Sequence, residues 1–246
     1  MSVPTTVPRA AVPAHLGHLD LELPDGEVRS VTVARLLNAG YAGRDQAEVA
    51  RHIAELAELG VPAPATTPAL YPVSPYLAAQ ADVVPVQHER TSGEAEWALV
   101  VSGPDPEDVL LTVACDHTDR ALEVHGVAWS KNASLDVLGR RAWRLVDVED
   151  HLDQLRLRAW VHAGDGPGTL VQDAPLAALL PPSYWLDALR ARGLATPGTV
   201  LLSGTVAMVP GVDQFARRWS VRLEDPVRGD ALELGYRVDV LPAAVG

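Results

Sequence analysis

The sequence predicts an α+β protein in which β-strands dominate. A series of short segments in the C-terminal two thirds of the chain alternates apolar and polar residues with a period of two, which is typical of strands. Turn residues separate these segments, and helical periodicity is limited to a few stretches. With 246 residues, the chain is long enough to bury a substantial core. The predicted strands are Val83–Gln87, Glu94–Val101, Val109–Cys115, Gln154–His162, Val200–Val206, Arg217–Leu223 and Leu232–Val240.

The N-terminal part of the chain predicts a hairpin followed by a helix. Residues 18–23 and 28–36 alternate on either side of a Pro-Asp-Gly turn, so we expect two paired strands. Residues 44–59 place apolar side chains on one helical stripe that stops before a glycine, which predicts an α-helix. Two further helices are expected, at residues 118–127 and near residues 176–192.

Composition divides the chain into three parts. Residues 1–15 contain several prolines and lack periodicity, which predicts a flexible tail. Residues 16–80 hold the hairpin, the helix and a proline-rich segment, 61–76, that we expect to lie extended on the core. Residues 81–246 form the main β-domain, which we expect to carry the functional site.

The net charge and the cysteine content limit which classes of partner and which cell compartment we expect. The formal net charge is −12 and no block rich in Lys or Arg is present, so neither a nucleic acid nor an anionic membrane is expected as a partner. No apolar run approaches the ~18 residues that a membrane helix needs. The single cysteine, Cys115, allows no disulfide within the chain, which suits a reducing cytoplasm. We therefore expect a cytoplasmic protein that handles a small molecule.

Three acidic residues stand on two neighbouring predicted strands. Glu94 and Glu96 are two residues apart at the start of an apolar run, so their side chains project to the same side of the strand. Asp116 ends the next strand. Three converging carboxylates repel one another unless a cation lies between them, and hard oxygen ligands suit Mg²⁺ first, then Mn²⁺ or Ca²⁺. The alternatives are solvent-facing glutamates and an Asp116 that caps the following helix.

Lys131 is the only lysine of the chain, since every other basic side chain apart from histidine is an arginine. A chain that is so biased towards arginine and yet keeps one lysine suggests a need for a compact point charge or a titratable amine. The alternative is an ordinary surface lysine. The first interpretation places Lys131 in the functional site.

Four segments carry recognisable motifs in a fixed order. They read TSGEAEWALVV (residues 91–101), CDHTDRAL (115–122), WSKNASLDVLGRRAWRLVDVEDHLDQLRLRAWV (129–161) and TPGTVLLSGTVAMVPG (196–211). Together they resemble motifs of the fumarylacetoacetate hydrolase superfamily. The resemblance covers roughly residues 40–240. It implies a mixed β-roll, here with an N-terminal hairpin and a lid helix, that is usually a homodimer and holds a divalent metal at its mouth.

The resemblance also assigns roles to individual residues. It makes Glu94, Glu96 and Asp116 the metal ligands. It makes Lys131 a catalytic residue that faces the substrate, and it brings Thr205 close to the substrate carboxylate. These roles agree with the reading of the acidic residues and of the single lysine.

Gly204, Arg120 and Tyr71 complete the predicted substrate-binding set. For Arg120 two interpretations stay open, because its guanidinium could pair with the acidic cluster or with the substrate. The sequence departs from the superfamily at Cys115 and Ser130, which replace an Asn and a Gly, and at further positions after the lysine and after Gly204-Thr205. These departures bear on the identity of the substrate more than on metal binding.

The predicted helix 44–59 resembles the lid segment of that superfamily, which carries a histidine. Alignment places Val49 at the position of the histidine, but His52 and Glu55 follow one turn later at a spacing of three residues. A carboxylate one turn from an imidazole can orient it and raise its basicity, as a water-activating base requires. The alternative is a solvent-exposed pair that adds little to the stability of the helix.

These observations predict a metal-dependent enzyme acting on a small 2-oxo or β-dicarbonyl carboxylic acid, with acylpyruvate-type C–C bond hydrolysis as the reaction. The same residues would also serve a decarboxylase, a hydratase or a tautomerase. A non-catalytic module that binds a small molecule on the same fold is the alternative from a different class.

Overall fold

The structure is a computed structural model that describes residues 16–58, 60, 63–164 and 166–245. The predicted tail, residues 1–15, lies outside the described part of the chain. No helix in the described part is both long enough and apolar enough to cross a bilayer.

The described residues form fifteen strands and three α-helices, connected by turns and short 3-10 helices. The helices are α1 (Gln46–Glu58), α2 (Val127–Lys131) and α3 (Pro182–Arg190). The strands are β1 (His18–Glu22), β2 (Val28–Thr32), β3 (Arg35–Gly40), β4 (Ala69–Val73), β5 (Ala78–Ala79), β6 (Val83–Val86), β7 (Thr91–Val101), β8 (Val109–Asp119), β9 (Asp136–Leu138), β10 (Trp143–Arg144), β11 (Arg156–Val161), β12 (Thr169–Pro175), β13 (Thr199–Leu202), β14 (Arg218–Asp225) and β15 (Asp230–Val240).

Two sheets build the core, and the predicted hairpin β1–β2 forms a small third sheet. The larger sheet has eight strands, in the order β4-β3-β13-β7-β8-β9-β5, with β10 paired to β8. The smaller has five strands, in the order β12-β11-β14-β15-β6. The predicted fold class, α+β with strands dominating, is therefore confirmed.

Three strands from the N-terminal part of the chain belong to the larger sheet. Strand β3 pairs in parallel with β13, and β4 pairs antiparallel with β3. Strand β5 pairs in parallel with β9. Residues 16–80 and 81–246 thus share one sheet, and the end of the proline-rich segment is an edge strand, where prolines are tolerated.

Strands β7 and β8 are the centre of the molecule. They run antiparallel over eleven residues each, and every residue of both strands is buried. Burial on both faces explains their nearly continuous apolar sequence. One face of the pair packs on the smaller sheet, where the fully buried Trp219 ring lies so close to Gly93 that a Cβ there would approach it to 2.8 Å. The opposite face carries the acidic residues.

The larger sheet curls strongly. Asn38 on β3 donates a hydrogen bond of 3.2 Å to Asp116 Oδ2 on β8, although β13 and β7 lie between these two strands. Three steps of about 4.8 Å would hold the two backbones about 14 Å apart in a flat sheet. The contact therefore shows that the sheet bends round to enclose the acidic face.

Two sequence predictions about helices need correction. The prediction of a helix at residues 118–127 is wrong, because β8 continues to Asp119 and only a 3-10 turn, Glu123–His125, precedes α2. The long pairing with β7 outweighs the local helical pattern. Asp116 is consequently a strand residue, and its alternative role as a helix cap is excluded. Of the helix expected near residues 176–192, only the part from Pro182 to Arg190 is an α-helix, α3.

Helix α1 begins two residues later than predicted, because Asp45 caps it. Its Oδ1 accepts hydrogen bonds from the backbone N–H groups of Ala47 (2.8 Å) and Glu48 (3.2 Å). Such a cap satisfies donors that have no partner within the helix. The end of the predicted helix, at Leu59, lies outside the described residues.

Candidate metal centre

Three carboxylates converge on the enclosed face of β7 and β8. The strand register places Glu94 directly opposite Asp116, and Glu96 lies two residues further along β7 on the same face. One carboxylate oxygen from each of the three residues lies within 4.8 Å of the others. The sequence prediction that these side chains gather is confirmed by this geometry.

A fourth carboxyl group joins the cluster. Strand β9 pairs with β8 so that Asp136 lies opposite Asp116, on the other side from Glu94. Asp136 is fully buried, and a side-chain hydrogen bond with Asp116 adds to the rise of its pKa. Its strand is three residues long and lacks an alternating pattern, so sequence reasoning missed it.

Lys131 lies against the carboxylates from the C-terminal end of α2. Its Nζ donates to Asp116 Oδ2 at 2.5 Å and to Glu94 Oε2 at 3.2 Å. Only 6% of its side chain is exposed, which excludes the surface-lysine interpretation. The next residue, Asn132, accepts a hydrogen bond from the Ser74 N–H and donates to the Pro72 carbonyl, so the proline-rich segment fixes the end of this helix.

Arg120 pairs with acidic residues, as in the first of the two interpretations that the sequence leaves open. Its Nη2 donates to Glu94 Oε1 at 2.7 Å, and its Nη1 lies 3.2 Å from both oxygens of Glu123. Its Nε donates to Ser92 Oγ at 2.7 Å. Glu123 was not among the predicted site residues; it follows Arg120 by three positions and comes directly after the recognised motif at residues 115–122.

Burial and neighbouring charges set the protonation of the cluster. Burial alone would raise the pKa of Glu94, but Lys131 and Arg120 outweigh it and lower that pKa to about 2. Burial raises the pKa of Glu96 well above its usual range, and the charge of Asp116 adds to the effect. Burial, followed by the charge of Glu94, raises the pKa of Asp116. Burial and the charges of Asp116 and Glu96 raise the pKa of Asp136 well above its usual range. Without an added cation, the cluster therefore holds protons.

The two cations remain charged in this environment. Burial alone would lower the pKa of Lys131, but the charges of Asp116 and Glu94 outweigh it and raise that pKa well above its usual range. Burial opposes the charge of Arg120 in the same way, and the carboxylates of Glu94 and Glu123 again raise the pKa. In this environment Lys131 is therefore an ammonium group.

Glu96 is oriented by the turn that follows β13. The backbone N–H of Gly204 donates to Glu96 Oε2 at 2.8 Å. Gly204 has a φ of 77° and lies so close to the carbonyl of Ala39 that a Cβ would approach it to 2.8 Å, so the turn requires glycine. The neighbouring Thr205 hydroxyl donates to the Ala95 carbonyl and accepts from Gln172 Nε2, and is thus already engaged within the protein.

Two tyrosines flank the cluster. Tyr71 on β4 is half-buried, and burial raises its pKa although the charge of Lys131 opposes the shift. Burial, together with the neighbouring Tyr71 and Glu123, raises the pKa of Tyr41 to about 12. Tyr41 has a φ of 56°, a left-handed conformation that costs a non-glycine residue about 1–2 kcal/mol. Both phenols stay protonated and can donate hydrogen bonds near Lys131.

The predicted base pair of α1 lies only partly within the described part of the chain. Glu55 is exposed on this helix, while the side chain of His52 lies outside the described part of the chain. Val49, which occupies the position of the histidine in the recognised lid segment, is buried against Gly43. The role of His52 and Glu55 therefore stays a prediction.

The donors of the cluster fit a hard divalent cation. Glu96 Oε1 and Asp116 Oδ1 are buried and have no hydrogen-bond partner among the described residues. Leaving buried carboxylate oxygens without a partner is costly, and a cation coordinated by oxygen would satisfy them. Lys131 and Arg120 already use the remaining oxygen of Asp116 and both oxygens of Glu94. A bound ion would have to share Glu94 with these two cations.

A family model places the chain among known sequences. The model of the family described as protein of unknown function (DUF2848) matches residues 39–236. The chain belongs to this family. No curated protein matches the sequence of this DUF2848 protein.

Solved structures show which fold this DUF2848 protein adopts. It is similar to Cg1458 with an inhibitor (TM-score 0.59, 21% identity, covering 87% of this chain and 81% of that chain). It is also similar to the apo form of 2-keto-3-deoxy-D-arabinonate dehydratase (TM-score 0.62, 16% identity, 86% and 74% coverage). A further match is the same dehydratase complexed with magnesium and 2,5-dioxopentanoate (TM-score 0.58, 16% identity, 84% and 74% coverage). The fold expected from the fumarylacetoacetate hydrolase resemblance is confirmed.

Proposed function

We propose that this protein is a divalent-metal-dependent enzyme that acts on a small 2-oxo carboxylic acid through an enolate. The observation that carries the proposal is the convergence of Glu94, Glu96 and Asp116 around buried carboxylate oxygens, next to a buried ammonium group. The structural similarity to a dehydratase complexed with magnesium and 2,5-dioxopentanoate supports it. Mg²⁺ is the expected ion, with Mn²⁺ and Ca²⁺ as alternatives.

The three carboxylates would hold the ion, and the chain's own groups would orient and stabilise the substrate. When bound, a divalent ion supplies a Lewis acid for the oxygens of a 2-oxo acid. Lys131 brings a desolvated positive charge to the same place, and such a charge stabilises an oxyanion more strongly than it would in water. The Gly204 N–H keeps Glu96 in position, and the protonated phenol of Tyr71 would donate a hydrogen bond to the substrate.

Enolate chemistry needs only a divalent ion and groups that lie in the described part of the chain. Hydrolysis of an acylpyruvate needs in addition a base that activates water, the role predicted for His52. Dehydration, decarboxylation or tautomerisation begins from the same enolate without water attack. We therefore propose a lyase or isomerase reaction of this kind. Acylpyruvate hydrolysis is the second candidate, which the motif resemblance favours and which would depend on His52.

We expect the affinity for Mg²⁺ to rise with pH. Burial raises the pKa of Glu96 well above its usual range, so this group holds a proton that an incoming ion must displace. Binding at pH 6 should therefore be weaker than at pH 8 and should release protons. Calorimetric titrations in two buffers of different ionisation enthalpy measure both quantities. An affinity that is independent of pH, with no proton release, would contradict the assigned protonation.

Exchange of the C3 protons of a 2-oxo acid tests the proposed function before the final reaction is known. Enolisation of 2-oxobutyrate in D₂O replaces these protons with deuterium, which NMR detects. The protein with Mg²⁺ should accelerate exchange, and Asp116→Asn and Glu94→Gln should each lower the rate by at least about 100-fold. Glu107→Gln, on an exposed turn before β8, is the matched control. Equal exchange by the parent and both site variants would refute the proposal.

A substrate panel then separates the candidate reactions. Acetylpyruvate reports C–C hydrolysis, oxaloacetate reports decarboxylation, and a 2-oxo-3-deoxy sugar acid reports dehydration. Cleavage of acetylpyruvate that is lost in His52→Ala would favour the hydrolase.

A further inference from the structure

Two of the three proposed metal ligands are each held through one oxygen by an uncharged N–H group. The Gly204 N–H donates to Glu96 Oε2 at 2.8 Å, and Asn38 Nδ2 donates to Asp116 Oδ2 at 3.2 Å. The second oxygen of each carboxylate, Glu96 Oε1 and Asp116 Oδ1, is buried and accepts no hydrogen bond from an N–H group or an alcohol hydroxyl of the described residues. Each of these two side chains would therefore coordinate an ion through a single oxygen.

Asn38 is placed to keep Asp116 in this orientation. It is fully buried on β3, where it lies opposite Leu202 of β13 on one side and Tyr71 of β4 on the other. A side chain inside a sheet positions its contacts more precisely than one on a loop. Lys131 also donates to Asp116 Oδ2, but its charge repels an incoming cation, whereas the amide of Asn38 carries no charge. Asn38 is thus a partner of Oδ2 that an ion need not displace.

The other polar atom of Asn38 fits an ion that brings its own water. Asn38 Oδ1 is buried without a hydrogen-bond partner among the described residues, and it lies at the cluster because it shares a carbon atom with Nδ2. A buried acceptor without a donor is costly. Mg²⁺ keeps several waters when carboxylates bind it, and such a water is the kind of donor that Asn38 Oδ1 lacks.

The number of oxygens that each carboxylate offers separates Mg²⁺ from Ca²⁺. Mg²⁺ takes about six ligands in near-octahedral geometry, whereas Ca²⁺ takes about six to eight and accepts both oxygens of one carboxylate. The two oxygens of Glu94 already bond to Arg120 and Lys131. With one oxygen each from Glu96 and Asp116, the site favours the ion that needs fewer protein oxygens.

We propose that Asn38 is a positioning residue that holds Asp116 to coordination through Oδ1 alone and thereby favours Mg²⁺ over Ca²⁺. The proposal rests on the metal centre of the proposed function. It deepens that function by naming the residue that sets which ion the centre prefers.

Calorimetric titrations of the metal-free protein with Mg²⁺ and with Ca²⁺ test the proposal. Asn38→Leu keeps the branched shape of the side chain and removes both of its hydrogen-bonding atoms. It should weaken Mg²⁺ binding by about tenfold or more, as loss of a hydrogen-bond partner of a metal ligand commonly does. Ca²⁺ binding should change by less than about twofold, because Asp116 freed from Asn38 can offer both oxygens. The ratio of the two dissociation constants should therefore shift by about fivefold or more towards Ca²⁺.

Thr112→Val is the matched control. Thr112 is fully buried on β8, four positions before Asp116, and its hydroxyl donates to the Arg141 carbonyl at 2.7 Å. The substitution removes one buried hydrogen bond from the same sheet at a distance from the cluster. It should lower the free energy of unfolding and change each affinity by less than about twofold.

A second measurement uses the parent protein and does not depend on the folding of a variant. In a crystal soaked with Mn²⁺, Asp116 should contact the ion through Oδ1 alone. Asn38 Nδ2 should still lie within about 3.5 Å of Asp116 Oδ2.

Two results would overturn the proposal. One is a ratio of dissociation constants that Asn38→Leu leaves unchanged, including an equal loss of affinity for both ions, as a purely structural role would give. The other is an ion coordinated by both oxygens of Asp116 in the parent crystal. If the parent binds neither ion, the metal centre fails together with the proposal. That outcome is distinct from an unchanged ratio in a parent and a variant that both bind Mg²⁺, which leaves the proposed function standing.

Discussion

Replacing Lys131 with methionine is expected to lower the free energy of unfolding of the metal-free protein by about 3–5 kcal/mol. The ammonium group lies 2.5 Å from Asp116 and 3.2 Å from Glu94 in a buried site, so its removal leaves these carboxylates without their main counter-charge. Urea unfolding followed by tryptophan fluorescence measures the loss. Arg140→Met is the matched control, because that side chain is 61% exposed and should change stability by less than about 0.5 kcal/mol.

The same variant should respond more strongly to Mg²⁺ than the parent does. Without the ammonium group, Glu94 keeps only Arg120 as a cationic partner among the described residues and Asp116 keeps none, so saturating Mg²⁺ should recover part of the lost stability. Enolisation of 2-oxobutyrate should still be slow, because Lys131 stabilises the oxyanion in the proposed mechanism. A Lys131→Met protein that is as stable as the parent without Mg²⁺ would contradict the described ion pairs.

Replacing Trp219 with alanine is expected to lower the free energy of unfolding by about 3–5 kcal/mol, because it removes a buried ring and leaves a cavity. Trp219 is fully buried on β14 and packs against Gly93 on β7, so its ring joins the two sheets next to the strand that carries Glu94. The indole Nε1 has no hydrogen-bond partner among the described residues, so the loss is one of packing.

An exposed tryptophan provides the control for this prediction. Trp129→Ala removes the same side chain from a position that is 66% exposed and should change stability by less than about 0.5 kcal/mol. The denaturant midpoints of both variants give the difference in the free energy of unfolding, provided that its dependence on denaturant concentration is the same in both. Equal effects of the two substitutions would show that Trp219 does not join the sheets as described.

Local pattern was sufficient to predict the central part of the site. The alternation along β7 places Glu94 and Glu96 on one face, and the motif at Asp116 supplies the third carboxylate from the adjacent strand. Both features depend only on the period of a strand and on neighbours in the sequence. The homodimer and the cytoplasmic location, which were inferred from the resemblance and from composition, stay predictions.

The remaining part of the site depends on contacts between distant segments. Asp136 reaches the cluster because a three-residue strand pairs with β8, and Asn38 reaches it because the sheet curls. Neither the pairing of so short a strand nor the curl has a periodic signature. The incorrect helix at residues 118–127 has a similar origin, since pairing with β7 extends β8 beyond the point that local propensity favours.

The most direct test of the metal centre is a crystal of the protein soaked with Mn²⁺ and measured for anomalous scattering. We predict one strong peak contacted by Glu94, Glu96 and Asp116 at metal–oxygen distances of about 2.0–2.3 Å. Lys131 should then no longer bridge Glu94 and Asp116 as it does without an ion. A cluster without a peak, in which Lys131 still bonds to both carboxylates at saturating Mn²⁺, would show that the lysine is the permanent counter-ion and would contradict the proposed enzyme.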